Sequence, residues 1–312
     1  MTHVICGVDV SATTLDARIG RDGVHRRFDT SADGIDQLVA FCRTHQVSLV
    51  VMEATGGYER QPAGQLWAAN LPTAIVNPRA VRDFAKGMGV LEKTDRIDCG
   101  IIAWYAETKR IKPMPPASAT QARLNALVRR HRQLTDQRVQ ETNRRCLVTE
   151  PDVVASYEPV LAAIAGQMRQ LEALIAQAIG DDPLWARLDA AFRTIKGVAD
   201  RTVARLMAEM PEIGTLSNKA VGKLAGLAPI ARDSGQHSGK RRVRGGREAV
   251  RSILFVIAEV VRRYDPRLAA FHQRLVAAGK PKMLIRVAVA RKLLVQLNAK
   301  ARDVRRESAV PT

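Results

Sequence analysis

VICGVDVSATTLDARIGRDGVHRRFDT, residues 4–30, decides how the first third of the chain is built. It contains three short segments, VICGVDVS, TLDARIG and VHRRFDT, separated by a few small or glycine-rich residues. The first is an apolar run of strand length. With its two neighbours it predicts three successive strands joined by short turns. Downstream the period changes. DGIDQLVAFCRTHQ (33–46) has helical spacing, with Asp33 as its expected N-cap. SLVVMEAT (48–55) reads as a fourth strand, YERQPAGQLWAAN (58–70) as a helix and TAIVNP (73–78) as a fifth strand. Three antiparallel strands followed by alternating helices and strands form one α/β unit.

Four acidic residues occupy telling places in that pattern. Asp9 lies in the first strand, and Glu53 ends the fourth. Asp95 and Asp98 fall in KTDRIDCGIIAWYA (93–106), a helical stretch whose i,i+3 spacing puts both carboxylates on one face. Acids at two strand ends and on one helical face can surround a pair of divalent cations, with Mg²⁺ the expected ion. Such a pair clamps a phosphodiester and stabilises both its attacking and its leaving oxygens. This order of strands and acids describes a ribonuclease-H-like fold.

The charge is distributed unevenly. The chain has 312 residues and a formal net charge of +18. Residues 1–112 carry 14 Lys/Arg against 13 Asp/Glu, and residues 113–192 carry 9 against 9. Residues 193–312 carry 26 against 9, so the excess is confined to the C-terminal part and points to a polyanion partner, nucleic acid above all. Cys6, Cys42, Cys99 and Cys146 are scattered without a CxxC pair, as expected for reduced thiols rather than a zinc site. No charged-then-apolar leader precedes the first strand, and runs such as ILFVIAEVV are about half the length that spans a bilayer. A cytoplasmic protein without a membrane partner is expected.

KPMPPAS (112–118) breaks the chain, because three prolines in seven residues cannot continue a helix. Three parts follow: 1–112, a connector over 113–185, and a basic helical part over 186–312. In the connector, 119–148 and 159–180 are long helical patterns. Leu161, Ile164, Met168, Leu171, Leu174, Ile175 and Ile179 recur at three- and four-residue steps, which fits a self-packed hairpin and a coiled coil between copies equally. FRTIKGVADRTVARLMAEM (192–210) has the outline of a helix–hairpin–helix, with Lys196 and Gly197 at a turn whose amides can hold a backbone phosphate.

Residues 232–247 are rich in Gly, Ser and Arg, and Arg232, Lys240, Arg241, Arg242, Arg244 and Arg247 are candidates for phosphate contact. Ser234 lies in RDSG. On local sequence alone Ser234-Gly235 is an ordinary solvated turn, and Ser238 is an equally placed hydroxyl. His237 is the nearest candidate base.

GVDVSATTLD, VMEATGGYE, KTDRIDCGIIA, IKGV, GLAPIARDSG and GKRRVRGGR occur in order along nearly the whole chain. With these motifs the chain resembles the DEDD insertion-sequence transposases, the bridge-RNA-guided serine recombinases, a family with a branch of DNA invertases that act on pilin genes. The resemblance implies a Holliday-junction-resolvase-like N-terminal domain holding divalent metal on Asp9, Glu53, Asp95 and Asp98. It also implies a coiled-coil connector and a mainly α transposase domain whose strand-cleaving nucleophile is Ser234. The implied partners are double-stranded target and donor DNA, a structured guide RNA pairing with both, and further copies of the chain, as a dimer or as a tetramer on DNA. With acids and serine in different domains, the resemblance implies a site completed on assembly.

Three rival readings differ in their demands. A metal-dependent resolvase using water needs the acids but not Ser234, and so forms no covalent adduct. A sugar-kinase or actin-like ATPase would share a GVDVSATT-like phosphate loop, but it needs a second glycine-rich Asp loop that the chain lacks. A non-catalytic nucleic-acid-binding protein would use the basic part and have no need of the acids. Only 4% of the residues are aromatic, which disfavours recognition by base stacking.

Overall fold

The computed structural model describes residues 4–309 except Lys93, Arg232, Gln236 and Lys240; the side chains of Asp95, His237, Ser238 and Ala309 are also outside the description. The chain divides into two compact units, Met1–Ala117 and Ser118–Thr312. The first is mixed α/β and the second is mainly helical.

In the first unit β1 (Ile5–Val10), β2 (Thr14–Ile19) and β3 (His25–Asp29) are followed by α1 (Ala32–Thr44), β4 (Leu49–Glu53), α2 (Arg60–Ala68) and β5 (Thr73–Val76). The unit continues with α3 (Pro78–Gly87) and α4 (Asp95–Lys109). The sheet order is β3-β2-β1-β4-β5. β2 runs antiparallel to β1 and β3, and β4 runs parallel to β1 and β5, consistent with the ribonuclease-H-like expectation. Because side chains alternate across a strand, the sheet carries two cores. Val8, Val10, Leu15, Ala17 and Met52 face α1 and α2. Ile5, Leu49, Val51 and Val76 face α3 and α4.

Two local expectations are corrected here. Ser31, not Asp33, caps α1, its hydroxyl accepting from Gly34 N, while Asp33 sits in the first turn. A capping side chain must precede the helix to reach its orphan amides, and an acid one turn in can only favour the helix dipole. The other difference is α3, which the strand-to-helix reading passed over. Asn77 caps it by accepting from Arg79 N, with Pro78 at its first position.

The second unit begins with α5 (Ala119–Arg145) and α6 (Pro151–Gly180). The second connector helix thus starts at 151 rather than 159, and Pro159 is carried inside it. Proline in a helix interior forfeits one backbone hydrogen bond, but in a helix this long the other bonds hold. The hairpin joins the core of its unit only at its base, through Leu124, Val128, Ile175 and Ile179. Farther out Val139, Leu147, Val153 and Val160 are exposed, Leu147 to 85%.

Next come α7 (Pro183–Arg193), α8 (Asp200–Glu209) and α9 (Asn218–Leu224), then the short strands β6 (Pro229–Ile230), β7 (Asp233–Ser234), β8 (His237–Ser238) and β9 (Arg242–Val243). Helices α10 (Glu248–Tyr264), α11 (Pro266–Ala277) and α12 (Lys282–Ala309) complete the unit. Phe192, Leu206, Met207, Leu254, Leu293 and Leu297 are fully buried between these helices. Asn298 is buried among them with its amide used on both sides. It accepts from Gly214 N and donates to Leu216 O and Asn218 Oδ1, at 2.9–3.0 Å. Among the described residues, no helix is long and apolar enough to cross a membrane.

Candidate active site

The sheet register brings two of the sequence-selected acids side by side. β1 pairs with β4 so that Val8 stands opposite Met52, and the next residues on the two strands are Asp9 and Glu53. Val8 and Met52 belong to the core under α1 and α2. By alternation Asp9 and Glu53 therefore lie on the other face, the one α4 covers, and both are half-buried.

Helix α4 lies on the same part of the sheet because Gly7 lets it in. A Cβ at Gly7 would stand 2.0 Å from Cys99 O and 2.6 Å from Ala103 N, so no side chain fits between β1 and the helix. Thr94 caps α4, its hydroxyl accepting from Ile97 N at 3.3 Å. Asp98 is half-buried in the first turn. Asp95 opens the helix, and its side chain is outside the described residues. Carboxylate oxygens are the donors a hard cation such as Mg²⁺ prefers, so the chemistry of this set fits. Among the described residues, no three His, Cys, Asp or Glu groups form a cluster that could hold an ion.

A fifth acid, which the sequence reading did not select, belongs to this face. Asp16 on β2 stands directly opposite Asp9, and Arg27 on β3 directly opposite Asp16. Asp16 is only 2% exposed. Its Oδ1 accepts from His25 Nε2 at 2.9 Å and from Arg27 Nε at 3.1 Å; its Oδ2 accepts from Arg27 Nε and Nη2, each at 3.0 Å. Breaking a buried pair costs about 3–5 kcal/mol, and solvent around the half-exposed guanidinium reduces that figure here. Alternation in TLDARI puts Asp16 opposite in face to Leu15 and Ala17, which was the available signal; its strand partner was not readable.

Cys99 reports the charge around it. Burial pushes its thiol up to about 11, Arg18 pulls it back in part, and the nearby Asp16 and Asp9 raise it further. Only the thiolate reacts with alkylating reagents, and at pH 8 a thiol of this kind is ionised in about one molecule in a thousand. Cys6 and Cys42 are also buried, whereas Cys146 is exposed. One thiol per folded chain is therefore expected to label quickly at pH 8, with the other three following only on denaturation. A second fast thiol in a timed titration would contradict this burial.

In the second unit, the stretch read as a loop at 232–247 is partly a ladder. β6 pairs antiparallel with β9, and β7 with β8, making an arm whose inner turn follows Ser234. Gly235, at φ +55°, turns the chain there. Ser234 is exposed and faces His237 across the ladder, and Arg241 Nη2 stands 3.8 Å from Asp233 Oδ2. Arg241, Arg242 and Arg244 are exposed. Arg232 and Lys240 lie outside the described residues, as do the side chains of His237 and Ser238.

Arg247 has a structural task at the base of the arm. Its guanidinium donates to both carboxylate oxygens of Glu212 and, at 2.7 Å, to Glu209 O. Burial alone would raise the Glu212 carboxyl, but these bonds more than offset it and hold the group below its ordinary value. The turn at 194–199 joins α7 to α8, with Lys196 exposed. Gly197 has φ +96°, and a Cβ there would press on Val260 Cγ1 at 3.2 Å.

Two family profiles match the chain. One, for DEDD transposases of the IS110 type and described as "Transposase", covers residues 6–147. The other, described as "Transposase IS116/IS110/IS902 family", covers residues 189–273. The pilin gene-inverting proteins of Moraxella bovis and Moraxella lacunata are each 27% identical over 306 residues, spanning 94% of this chain and 94% of theirs. An insertion element IS110 protein of Streptomyces coelicolor is 29% identical over 153 residues, 48% of this chain and 37% of that protein. The first profile covers the acids, the second covers Ser234 and its arm, and together they show that the chain belongs to the IS110-type transposases, enzymes of DNA recombination.

Proposed function

We propose that this transposase cuts and rejoins DNA through a covalent link between Ser234 and a strand end, at target and donor sites chosen by a structured guide RNA. The observation that carries the reading is an exposed serine at the turn of a basic arm, in a chain whose other unit aligns Asp9 and Glu53 on neighbouring strands. Ser234 Oγ attacks phosphorus, and a P–O bond to serine forms as one bridging P–O bond of the backbone breaks. The serine proton passes to a base, and the departing oxygen takes up a proton. The number of phosphoester bonds is unchanged, so reversal reseals the strand without an external energy source.

Asp9, Glu53, Asp95 and Asp98 are proposed to hold Mg²⁺, which when bound supplies positive charge to the phosphodiester oxygens. Lys196, Arg241, Arg242 and Arg244 hold backbone phosphates, joined by Arg232 and Lys240, with the α7–α8 turn acting as a helix–hairpin–helix. The connector hairpin serves as a coiled coil between copies, since Val139, Leu147, Val153 and Val160 are exposed along it. That contact would join two copies, and the family resemblance adds a tetramer on DNA. Inversion of a DNA segment is a second outcome of the same chemistry, favoured by the full-length likeness to two gene-inverting proteins.

The decisive assay is a denaturing gel of the chain with guide RNA and a nicked, trapping DNA substrate. A protein band shifted by covalent DNA supports the reading, and cleavage without an adduct returns the chain to a water-using resolvase. Binding gives a separate check. Changing Arg241, Arg242 and Arg244 to Ala together should lower the slope of log affinity against log salt by up to about 3, near 0.9 per lost phosphate contact. An unchanged slope would remove the arm from the nucleic-acid interface.

A further inference from the structure

β1, β4 and β5 run parallel, so their carboxyl ends share one edge of the sheet. Asp9 lies next to the end of β1, and Glu53 ends β4. In open α/β sheets that edge is where ligands are held. The chain leaves it through residues 54–59, and this connection is tightly built. Ala54 N donates to Val76 O at 3.0 Å, and Thr55 Oγ1 donates to Glu53 O at 3.3 Å. Glu59 is 7% exposed, and its Oε2 accepts from Thr55 N at 3.0 Å and from Gly57 N at 2.9 Å. Although Glu59 precedes α2, its side chain caps none of that helix's amides and turns back on the loop instead. Gly56 at φ +65° and Gly57 at φ +117° complete the bend, in conformations open to glycine.

The loop holds out two groups of specific chemistry. Tyr58 is 55% exposed and Arg60 is exposed, one on each side of the buried Glu59. A tyrosine ring offers a flat apolar face to a nucleobase, and a guanidinium offers paired donors to a phosphate. This unit has balanced charge over residues 1–112, 14 Lys/Arg against 13 Asp/Glu, so its hold on nucleic acid must come from local groups. We propose that Tyr58 and Arg60 are the first unit's contact with the DNA strand to be cut. Arg60 binds a backbone phosphate, the Tyr58 ring packs on the neighbouring base, and Glu59 is the positioning residue that fixes both. The inference rests on the proposed role of Asp9 and Glu53 at the phosphodiester, which this contact aims. It involves no reading of sequence, because a ring stacks on any base and one ring suffices for placement.

The test reads position 58 directly. Tyr58→Trp puts a fluorescent ring there, and the wild-type chain, with Trp67, Trp104 and Trp185, supplies the background to subtract. Adding a DNA duplex interrupted by a single-stranded gap to the full-length chain, in metal-free buffer, should quench most of the added emission. In the same background Glu59→Ala should lose the quenching. Glu59→Gln should keep it, because its amide oxygen still accepts from Thr55 N and Gly57 N. Arg60→Gln should lower the slope of log affinity against log salt by about 0.7–0.9, one phosphate contact. Emission that DNA leaves unchanged, an unchanged salt slope, or a Glu59→Gln variant as poor as Glu59→Ala overturns the proposal. Stronger quenching by an RNA hairpin than by gapped DNA moves the contact to RNA and overturns it as well. If Glu59→Ala does not melt cooperatively, the Tyr58→Trp and Arg60→Gln results decide. The rise in melting temperature with Mg²⁺ judges the acids separately: quenching without that rise leaves the contact standing and removes the metal reading.

Discussion

Replacing Ser234 by alanine should abolish both the covalent adduct and strand exchange while leaving folding and nucleic-acid binding intact. The hydroxyl is exposed on a short strand, and the ladder to His237 is made by backbone groups that alanine keeps. A surface change of this size alters stability by about 0.5 kcal/mol or less. Alanine has no oxygen to attack phosphorus, and loss of a nucleophile of this kind costs on the order of a millionfold in rate. Ser238→Ala should react nearly as wild type, although the register puts it opposite Asp233 on the same arm. An adduct surviving in Ser234→Ala would refute the assignment, and one lost only in Ser238→Ala would move the nucleophile four residues along.

Amide replacement of the four acids should be as damaging to the reaction and should likewise leave the fold intact. Asp9→Asn, Glu53→Gln, Asp95→Asn and Asp98→Asn each remove an anionic ligand at nearly constant volume, so recombination in Mg²⁺ should fall below detection. Melting supplies an independent readout. Asp9 stands between Glu53 and Asp16 across neighbouring strands. Asp9→Asn should lose the rise in melting temperature that Mg²⁺ gives the wild-type chain. Full recombination in any two of these variants would remove the acids from the reaction.

Much of this was written in local pattern. Alternating and apolar runs marked the five strands of the sheet, and the prolines of KPMPPAS marked the break near which the two units divide. Asp9, Glu53, Asp95 and Asp98 could be selected because strand ends and i,i+3 helical spacing are properties of short segments. Ser234 could not be chosen on such grounds, since a Ser-Gly turn looks the same whether or not its hydroxyl reacts. Its place in the reading came from motif order.

What the linear chain determined by itself was the five strands of the first sheet, the acids selected on the first unit and the basic C-terminal part, all set by periodicity and charge within a few turns of chain. Only the tertiary structure decided which residues face each other. The parallel pairing of β1 with β4 put Glu53 beside Asp9, although 44 positions separate them in the chain. The antiparallel pairings added Asp16 and Arg27 to the same row. Likewise, Arg247 looked like its exposed neighbours until packing placed Glu212 against it. The physical reason is register: a one-residue slip reverses every side chain's face, and the alignment is chosen by the whole buried core rather than by any one strand.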